Sequence, residues 1–239
     1  MEITDREISR RTRRSFITGG IAALAGFGTW EWIRTSYTED GIQRPLRRAE
    51  QLDDVFSRTL FSETRLARTF DASEIGEAQV NGDDGLDGEP DAEWKLMIEG
   101  ADSLSLDQIK ALPKVEQTTQ FKCIEGWNYI MKWAGAKFSD FAAAHGPSGA
   151  MQKPWVGLET PDAGYYVGLD RASAMHPQTL LAYEMNGQPL SSDHGAPLRL
   201  IIPVKYGIKN LKRIGKITFS DARPRDYWAE NGYDYDSGF

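Results

Sequence analysis

Apolar residues first gather between Phe16 and Ile33, diluted by Gly19, Gly20, Gly26 and Gly28 and interrupted by Glu31. The run is weakly apolar and near the lower limit for crossing a bilayer. Residues 34–67 are charged and rich in arginine, and within them Leu52, Val55 and Phe56 recur at helical spacing. That pattern predicts a linker followed by a short amphipathic helix. Trp94, Leu96 and Ile98 then alternate with Lys95, Met97 and Glu99, which predicts a strand. Ser105-Leu106-Asp107-Gln108 is a capping-box pattern opening a short helix that stops before Pro113. Thr118 to Ile124 is rich in β-branched and aromatic residues and predicts a strand that delivers Cys123 to its end. Ser139 is read as the cap of a helix running to His145 and ended by Gly146-Pro147, with His145 as a helix-end cation. Trp155–Thr160, Tyr165–Gly168, Leu180–Met185, Leu198–Val204 and Lys216–Ser220 read as further strands, with a tight turn at Asn186-Gly187. Strands outnumber helices and do not alternate with them regularly. The expected class is therefore α+β, not a doubly wound sheet.

The N-terminal run gains meaning from its flank. Arg10, Arg11, Arg13 and Arg14 precede it, a basic cluster before an apolar segment, as in bacterial export signals. Thr12-Arg13-Arg14-Ser15-Phe16-Ile17 resembles the twin-arginine motif, whose export machinery carries proteins already folded around a cofactor. No A-x-A-like cleavage site follows. Residues 1–33 are thus read as a twin-arginine export signal or a retained anchor, and 34–67 as linker and short helix. Residues 68–239 are read as the single folded domain. The expected location is periplasmic, or exported and anchored to the membrane by the N-terminus.

The chain has 239 residues, 40% hydrophobic and 26% charged, enough to bury a core and unlike a disordered protein. A net charge of −7 argues against nucleic acid as a partner. One cysteine and three histidines exclude an internal disulfide and a C-x-x-C-H haem attachment, and leave little room for a clustered zinc site. Any redox chemistry has to rest on a bound cofactor. Residues 71–102 hold eleven acids against one lysine. Within them 81–88 reads as a solvated loop, since the EF-hand spacing fails in every register. Residues 199–225 hold eight basic side chains and one acid, +7 in a chain whose total is −7. Lys205, Lys209 and Lys212 interleave there with Gly207 and Asn210, a loop suited to a phosphate or, equally, a solvated basic face.

Cys123 admits three readings on composition alone: a small buried hydrophobe, a nucleophile, or a thiolate ligand to a soft metal. The surrounding motifs decide between them. Phe121-Lys122-Cys123-Ile124-Glu125-Gly126-Trp127, with Trp133-Ala134-Gly135 downstream, resembles the core of the sulfite-oxidase-type molybdopterin oxidoreductases. So does His194-Gly195-Ala196-Pro197-Leu198-Arg199, followed by Pro203 and by Lys205 to Lys212. The resemblance runs from about Arg68 to Trp228.

It implies a molybdenum–molybdopterin cofactor with Cys123 as the single protein ligand to the metal. It further implies that Thr160 and His194 touch the cofactor, that Arg199 and Lys212 anchor its phosphate, and that the backbone at Asn210 and Leu211 contributes. Arg68 and Thr69 occupy the place of an upstream cofactor-contacting segment, with different residues. Where sulfite oxidases follow the cysteine with an arginine-containing run that binds the anionic substrate, this chain has Glu125-Gly126-Trp127-Asn128-Tyr129. Cys-x-Glu-x-Trp is similar to the branch of periplasmic methionine-sulfoxide reductase catalytic subunits. An ionised Glu125 would also repel sulfite.

The resulting expectation is oxygen-atom transfer, the reduction of a small-molecule or protein-bound S-oxide. Cys123 and Glu125 are the catalytic candidates, and Trp127 and Tyr129 candidate pocket residues. Electrons would pass through a separate protein, with a membrane haem protein as the candidate. The competing readings are a cofactor-free binding or assembly module, a sulfite-oxidising enzyme of the same family, and a thiol hydrolase built on Cys123.

Overall fold

The computed structural model describes residues 5–39, 42–62, 64–82 and 93–238. The acidic loop expected at 81–88 falls, from residue 83 on, outside the described residues. The chain divides into two units, Met1–Asp53 and Asp54–Phe239.

In the first unit a long helix, α1 (Asp5–Thr35), runs unbroken through the four glycines and exposes Phe16, Leu24, Phe27, Trp30 and Trp32. Among the described residues no helix is long and apolar enough to cross a membrane. A minimal hairpin, β1 (Thr38–Glu39) and β2 (Ile42–Gln43), leads into α2 (Arg44–Leu60). The amphipathic helix is thus longer than the short one expected, and from Asp54 on it belongs to the second unit.

The second unit carries two sheets. Their strands are β3 (Met97–Ile98), β4 (Lys114–Lys122), β5 (Asn128–Lys137), β6 (Trp155–Glu159) and β7 (Tyr166–Asp170). After these come β8 (Leu180–Met185), β9 (Gln188–Pro189), β10 (Arg199–Ile201) and β11 (Lys216–Ser220). One sheet holds β10-β8-β5-β4 with β9 also paired to β8, and the other holds β3-β11-β6-β7. Only β3 and β11 run parallel; the other pairs are antiparallel. Short helices fill the connections: α3 (Leu106–Lys110), α4 (Phe138–His145), α5 (Arg171–Ala174) and α6 (Tyr227–Glu230).

The main core joins both sheets, with Leu96, Ile98, Phe138, Phe141, Leu158, Leu169, Leu181 and Ile217 buried together. Leu180 and Ala182 alternate with Leu181 and Tyr183 along β8, so they face the other way, into a second cluster with Tyr129, Met131, Trp133 and Ile201. The fold class is α+β with mixed sheets, as expected.

Several details differ from expectation for local physical reasons. The strand at Trp94–Ile98 is only two residues long, because its next-door residue Leu96 bridges to Leu104 instead of continuing the ladder. The capping box of α3 forms as read: Gln108 N donates to Ser105 Oγ (3.4 Å), and Ser105 N donates to Gln108 Oε1 (2.9 Å). Ser139 is not the cap of α4. The helix starts two residues earlier than that cap implies, at Phe138, behind an extended Lys137 that offers no side-chain cap.

Asn186 and Gly187 both take positive φ, 53° and 77°, and close a hairpin between β8 and β9; β10 pairs with the other half of β8. The largest omission is β5, ten residues that pair with β4 from Lys122↔Asn128 to Lys114↔Ala136. Its alternation lasts only through Tyr129, Met131 and Trp133. Beyond Trp133, Ala134, Gly135 and Ala136 are all buried, so the period-two signal disappears.

Candidate cofactor cleft

Cys123 sits one residue past the end of β4, in the turn that joins β4 to β5. Cys123 N donates to Trp127 O (2.9 Å), Gly126 N donates to Cys123 O (3.1 Å), and Gly126 takes φ +91°. The turn fixes the sulfur at a cleft lined by Phe121, Cys123, Glu125 and Trp127. Arg199, Gly207, Asn210 and Lys212 also line it, with Trp228 and Tyr233 from the C-terminal region.

Strand periodicity builds the apolar wall. Phe121 and Tyr129 are cross-strand partners whose rings stack at 4.9 Å and 4°, and Trp127 stacks on both at 5.9 and 5.8 Å. Glu125 is the one carboxylate among the described lining residues. It accepts from Trp127 Nε1 (2.8 Å), from Asn81 Nδ2 (3.3 Å) and from the Cys123 thiol (3.8 Å); Asn81 Nδ2 also lies 4.0 Å from the sulfur. Burial, and secondarily the nearby Glu125 charge, push the Cys123 thiol above its ordinary pKa. This setting opposes a free nucleophilic thiolate, which needs a neighbouring base or cation. It suits a sulfur whose charge is supplied by a metal.

Arg199, on β10, also lines the cleft and is only 1% exposed. Its guanidinium donates to His194 O (3.0 Å) and Asn210 O (3.4 Å) and lies 4.8 Å from the Trp133 ring centre. Its Nε is buried without a hydrogen-bond partner, as is His194 Nδ1. Burial pushes the guanidinium below its usual pKa. Burial, then the Arg199 and Lys212 charges, push the His194 imidazole down, which leaves it neutral near pH 7. Asn210 is held on both sides, accepting from Ile202 N (2.8 Å) and donating to Tyr206 O (3.1 Å). Lys212 Nζ donates to the Asn81 and Gly82 carbonyls, each at 2.8 Å. The donors present fit an anionic, soft-metal cofactor: one thiol, a buried arginine with an unused N–H, and a lysine beside it.

Of the residues singled out in the sequence, Cys123, Glu125, Arg199, Asn210 and Lys212 line this cleft, with the pocket candidate Trp127; Tyr129 backs the wall without lining it. The others are placed elsewhere among the described residues. Thr160 is buried in the β6–β7 turn, donating to Asp162 (2.6 Å) and accepting from Tyr165 N (3.0 Å). Thr69 bridges to Thr119 at the edge of β4, and Arg68 lies 4.6 Å from the Phe70 ring centre. His194 reaches the cleft only through its carbonyl on Arg199. Leu211 is buried in the main core, its carbonyl accepting from Leu200 N (2.8 Å).

The basic segment is also not the open cationic loop expected. Lys205 and Lys209 are buried, against Asp236 (2.6 Å) and Asp226 respectively. Asn81, Trp228 and Tyr233 are lining residues that the sequence reading missed as site residues. The aromatic density of Tyr227, Trp228, Tyr233 and Tyr235 was the available signal for the last two.

Comparison with known proteins agrees with this architecture. Residues 85–228 match the family model of the oxidoreductase molybdopterin binding domain, and the chain belongs to that family. It is 30% identical over 234 residues to a putative protein-methionine-sulfoxide reductase subunit YedZ1 of Azospira oryzae, covering 95% of this chain and 86% of that one. Over 152 residues it is 33% identical to the protein-methionine-sulfoxide reductase catalytic subunit MsrP of Xanthomonas campestris. That match covers 56% of this chain and 47% of the relative, so the chain spans about half the length of the MsrP proteins it resembles. The sulfane dehydrogenase SoxCD of Paracoccus pantotrophus shares the fold, with a TM-score of 0.50 and 19% identity over 55% of this chain and 39% of that one. The chain is therefore a member of a molybdopterin-dependent oxidoreductase family with the sulfite-oxidase-type fold. Arg68 and Thr69 lie outside the stretch matched by the family model.

Proposed function

We propose that this chain is the catalytic subunit of an exported S-oxide reductase. The observation that carries the reading is the meeting of Cys123, Glu125 and the incompletely paired Arg199 in one aromatic-walled cleft. Cys123 would hold molybdenum, while Arg199 and Lys212 would hold the molybdopterin phosphate. When bound, the cofactor supplies the two-electron exchange with the substrate oxygen.

The chain's own groups do the rest. Reducing an S-oxide consumes two protons and two electrons and releases water. Glu125 is the lining group that can hold and hand over a proton, oriented by Trp127 Nε1 and Asn81. Phe121, Trp127, Trp228 and Tyr233 offer an apolar, water-excluding contact for a neutral S-oxide. A carboxylate in the cleft supports a neutral substrate over anionic sulfite. The names of the relatives, protein-methionine-sulfoxide reductase subunits, support methionine sulfoxide, free or in proteins, as the substrate class.

Residues 1–33 would address the chain to the twin-arginine machinery or anchor it, 34–67 would connect, and 68–239 would carry the reaction in the periplasm. A separate electron-transfer protein, a membrane haem protein in this reading, would deliver the electrons. The test is metal and pterin analysis of purified protein, followed by a panel of S-oxides and N-oxides with reduced dye and, in reverse, sulfite with an oxidant. Wild type is expected to carry molybdenum and reduce S-oxides, and Cys123→Ser to lose both. Protein free of molybdenum after expression in a competent host would establish the cofactor-free module instead. Sulfite oxidation without S-oxide reduction would replace the substrate reading.

A further inference from the structure

Helix α2 is turned against the usual rule for an amphipathic helix. Its apolar residues Ala49, Leu52, Val55, Phe56 and Leu60 recur at 3–4-residue spacing and form one stripe. In a soluble protein that stripe packs on the core. Here Leu52, Val55, Phe56 and Leu60 are 60–75% exposed. In the part of the helix that belongs to the second unit the shielded side is the polar one: Asp54 is buried and Ser57 half-buried. Asp54 fixes this rotation, accepting from Arg223 (2.8 Å) and from Asp236 N (3.1 Å). A strongly amphipathic helix is thus locked with its apolar stripe in water.

We infer that the stripe docks on the surface of an anionic lipid bilayer, with α2 lying in the interface. Two further observations choose lipid as the occupant. Arg44 and Arg48, one turn apart on the border of the stripe, are exposed, and cations bordering an apolar stripe match anionic headgroups. The chain also reaches α2 directly from the end of α1, where Phe27, Trp30, Trp32 and then Tyr37 are exposed. Tryptophan and tyrosine are the side chains that settle at headgroup level. Bound this way, α2 would hold the catalytic unit at the membrane whether or not α1 is retained, beside any membrane-resident electron donor.

The experiment is flotation of the full-length, cofactor-loaded protein with vesicles of phosphatidylcholine and phosphatidylglycerol (3:1), and with phosphatidylcholine alone. Wild type is compared with the triple variant Leu52→Gln, Phe56→Gln, Leu60→Gln, and with Arg48→Gln, all with α1 intact. The triple variant should partition at least tenfold more weakly on mixed vesicles. Arg48→Gln should lose about fivefold on mixed vesicles and nothing on neutral ones. Because all four side chains are exposed, melting temperature and molybdenum content should stay at wild-type values, which separates docking from misfolding. Unchanged partitioning of the triple variant overturns the proposal. So does unchanged partitioning with loss of self-association in sedimentation, which would make a second copy the occupant. Unchanged partitioning with slower reduction by a membrane-protein donor would make that protein the occupant and overturn it equally.

Discussion

Replacing Arg199 by methionine separates an arginine needed for folding from one held for an anion. The side chain is 1% exposed, and its partners are two carbonyls and the Trp133 ring, with no carboxylate among them. In the ligand-free protein, Arg199→Met removes two charge-assisted hydrogen bonds, worth about 1.5 kcal/mol each given that one is long at 3.4 Å. It also removes a cation–π contact of about 1–2 kcal/mol. Against that loss of about 4–5 kcal/mol stands relief from burying an uncompensated charge, several kcal/mol in a protein interior. The two nearly cancel, so the ligand-free variant should stay within about 2 kcal/mol of wild type. For a unit of this size that is a melting shift of no more than about 8 °C in either direction.

With the anionic cofactor bound the balance changes sign. In the proposed reading the arginine would then be paired, and removing one partner of a buried pair costs about 3–5 kcal/mol. Cofactor affinity should therefore fall by at least about a hundredfold. The assay is thermal unfolding of both proteins made in a host that cannot synthesise molybdopterin, together with molybdenum and pterin content after expression in one that can. A ligand-free variant more than about 4 kcal/mol less stable would refute the reasoning, because the arginine would then be structural. Full molybdenum and pterin retention would refute it from the other side.

Two further substitutions test the surroundings of the cleft. A Cβ at Gly207 would lie 2.5 Å from Phe121 Cζ and 3.3 Å from Lys122 O, so Gly207→Ala should displace the Phe121 ring and lower stability by about 1–3 kcal/mol. A denaturation midpoint within about 0.3 kcal/mol of wild type would show that the ring yields freely. Burial, then the neighbouring Asp54 carboxyl, raise the Asp234 pKa from 3.8 to about 6. A raised folded-state pKa on an acid means that the folded protein binds more protons, so this group favours folding below about pH 4 and loses that contribution as pH rises through about 6. The full shift would correspond to about 3 kcal/mol, and solvent screening at this half-buried site leaves about 1 kcal/mol. Asp234→Asn should therefore be about 1 kcal/mol more stable than wild type at pH 7.5, with the gain fading towards pH 4. Chemical denaturation at the two pH values decides it, and a gain that grows on acidification would contradict the sign.

Strands that pair apolar content with clear bounds, such as β6, β8 and β11, were legible because one period or one buried run covers the whole element. β5 was not, although it is the longest strand. The small residues after Trp133 are buried on both faces, leaving no alternation to follow. In the cleft, Cys123 and Glu125 were legible because they are close in sequence and carry a motif. Asn81 was not: it lies 42 residues before Cys123 in a polar stretch whose composition reports only a loop. Long-range partners of this kind leave no periodic or local trace, and only the fold brings them to the sulfur.

The basic segment shows why linear charge is a poor guide to an anion site. Of its eight cations, Lys205, Lys209, Lys216, Arg223 and Arg225 all meet carboxylates. Asp236, Glu99 and Asp54 come from distant parts of the chain, whereas Asp226 and Glu230 lie 17 and 5 residues from their partners. A lysine already paired with a buried aspartate has little attraction left for a ligand, because a bound anion would have to compete with that aspartate. Arg199 differs from the two buried lysines. Lys205 and Lys209 hold carboxylates, whereas Arg199 holds carbonyls and a ring and keeps an N–H unused. In the proposed reading the cofactor phosphate would be drawn to Arg199, whose described partners include no carboxylate, and the density of cations along the sequence does not locate such a site.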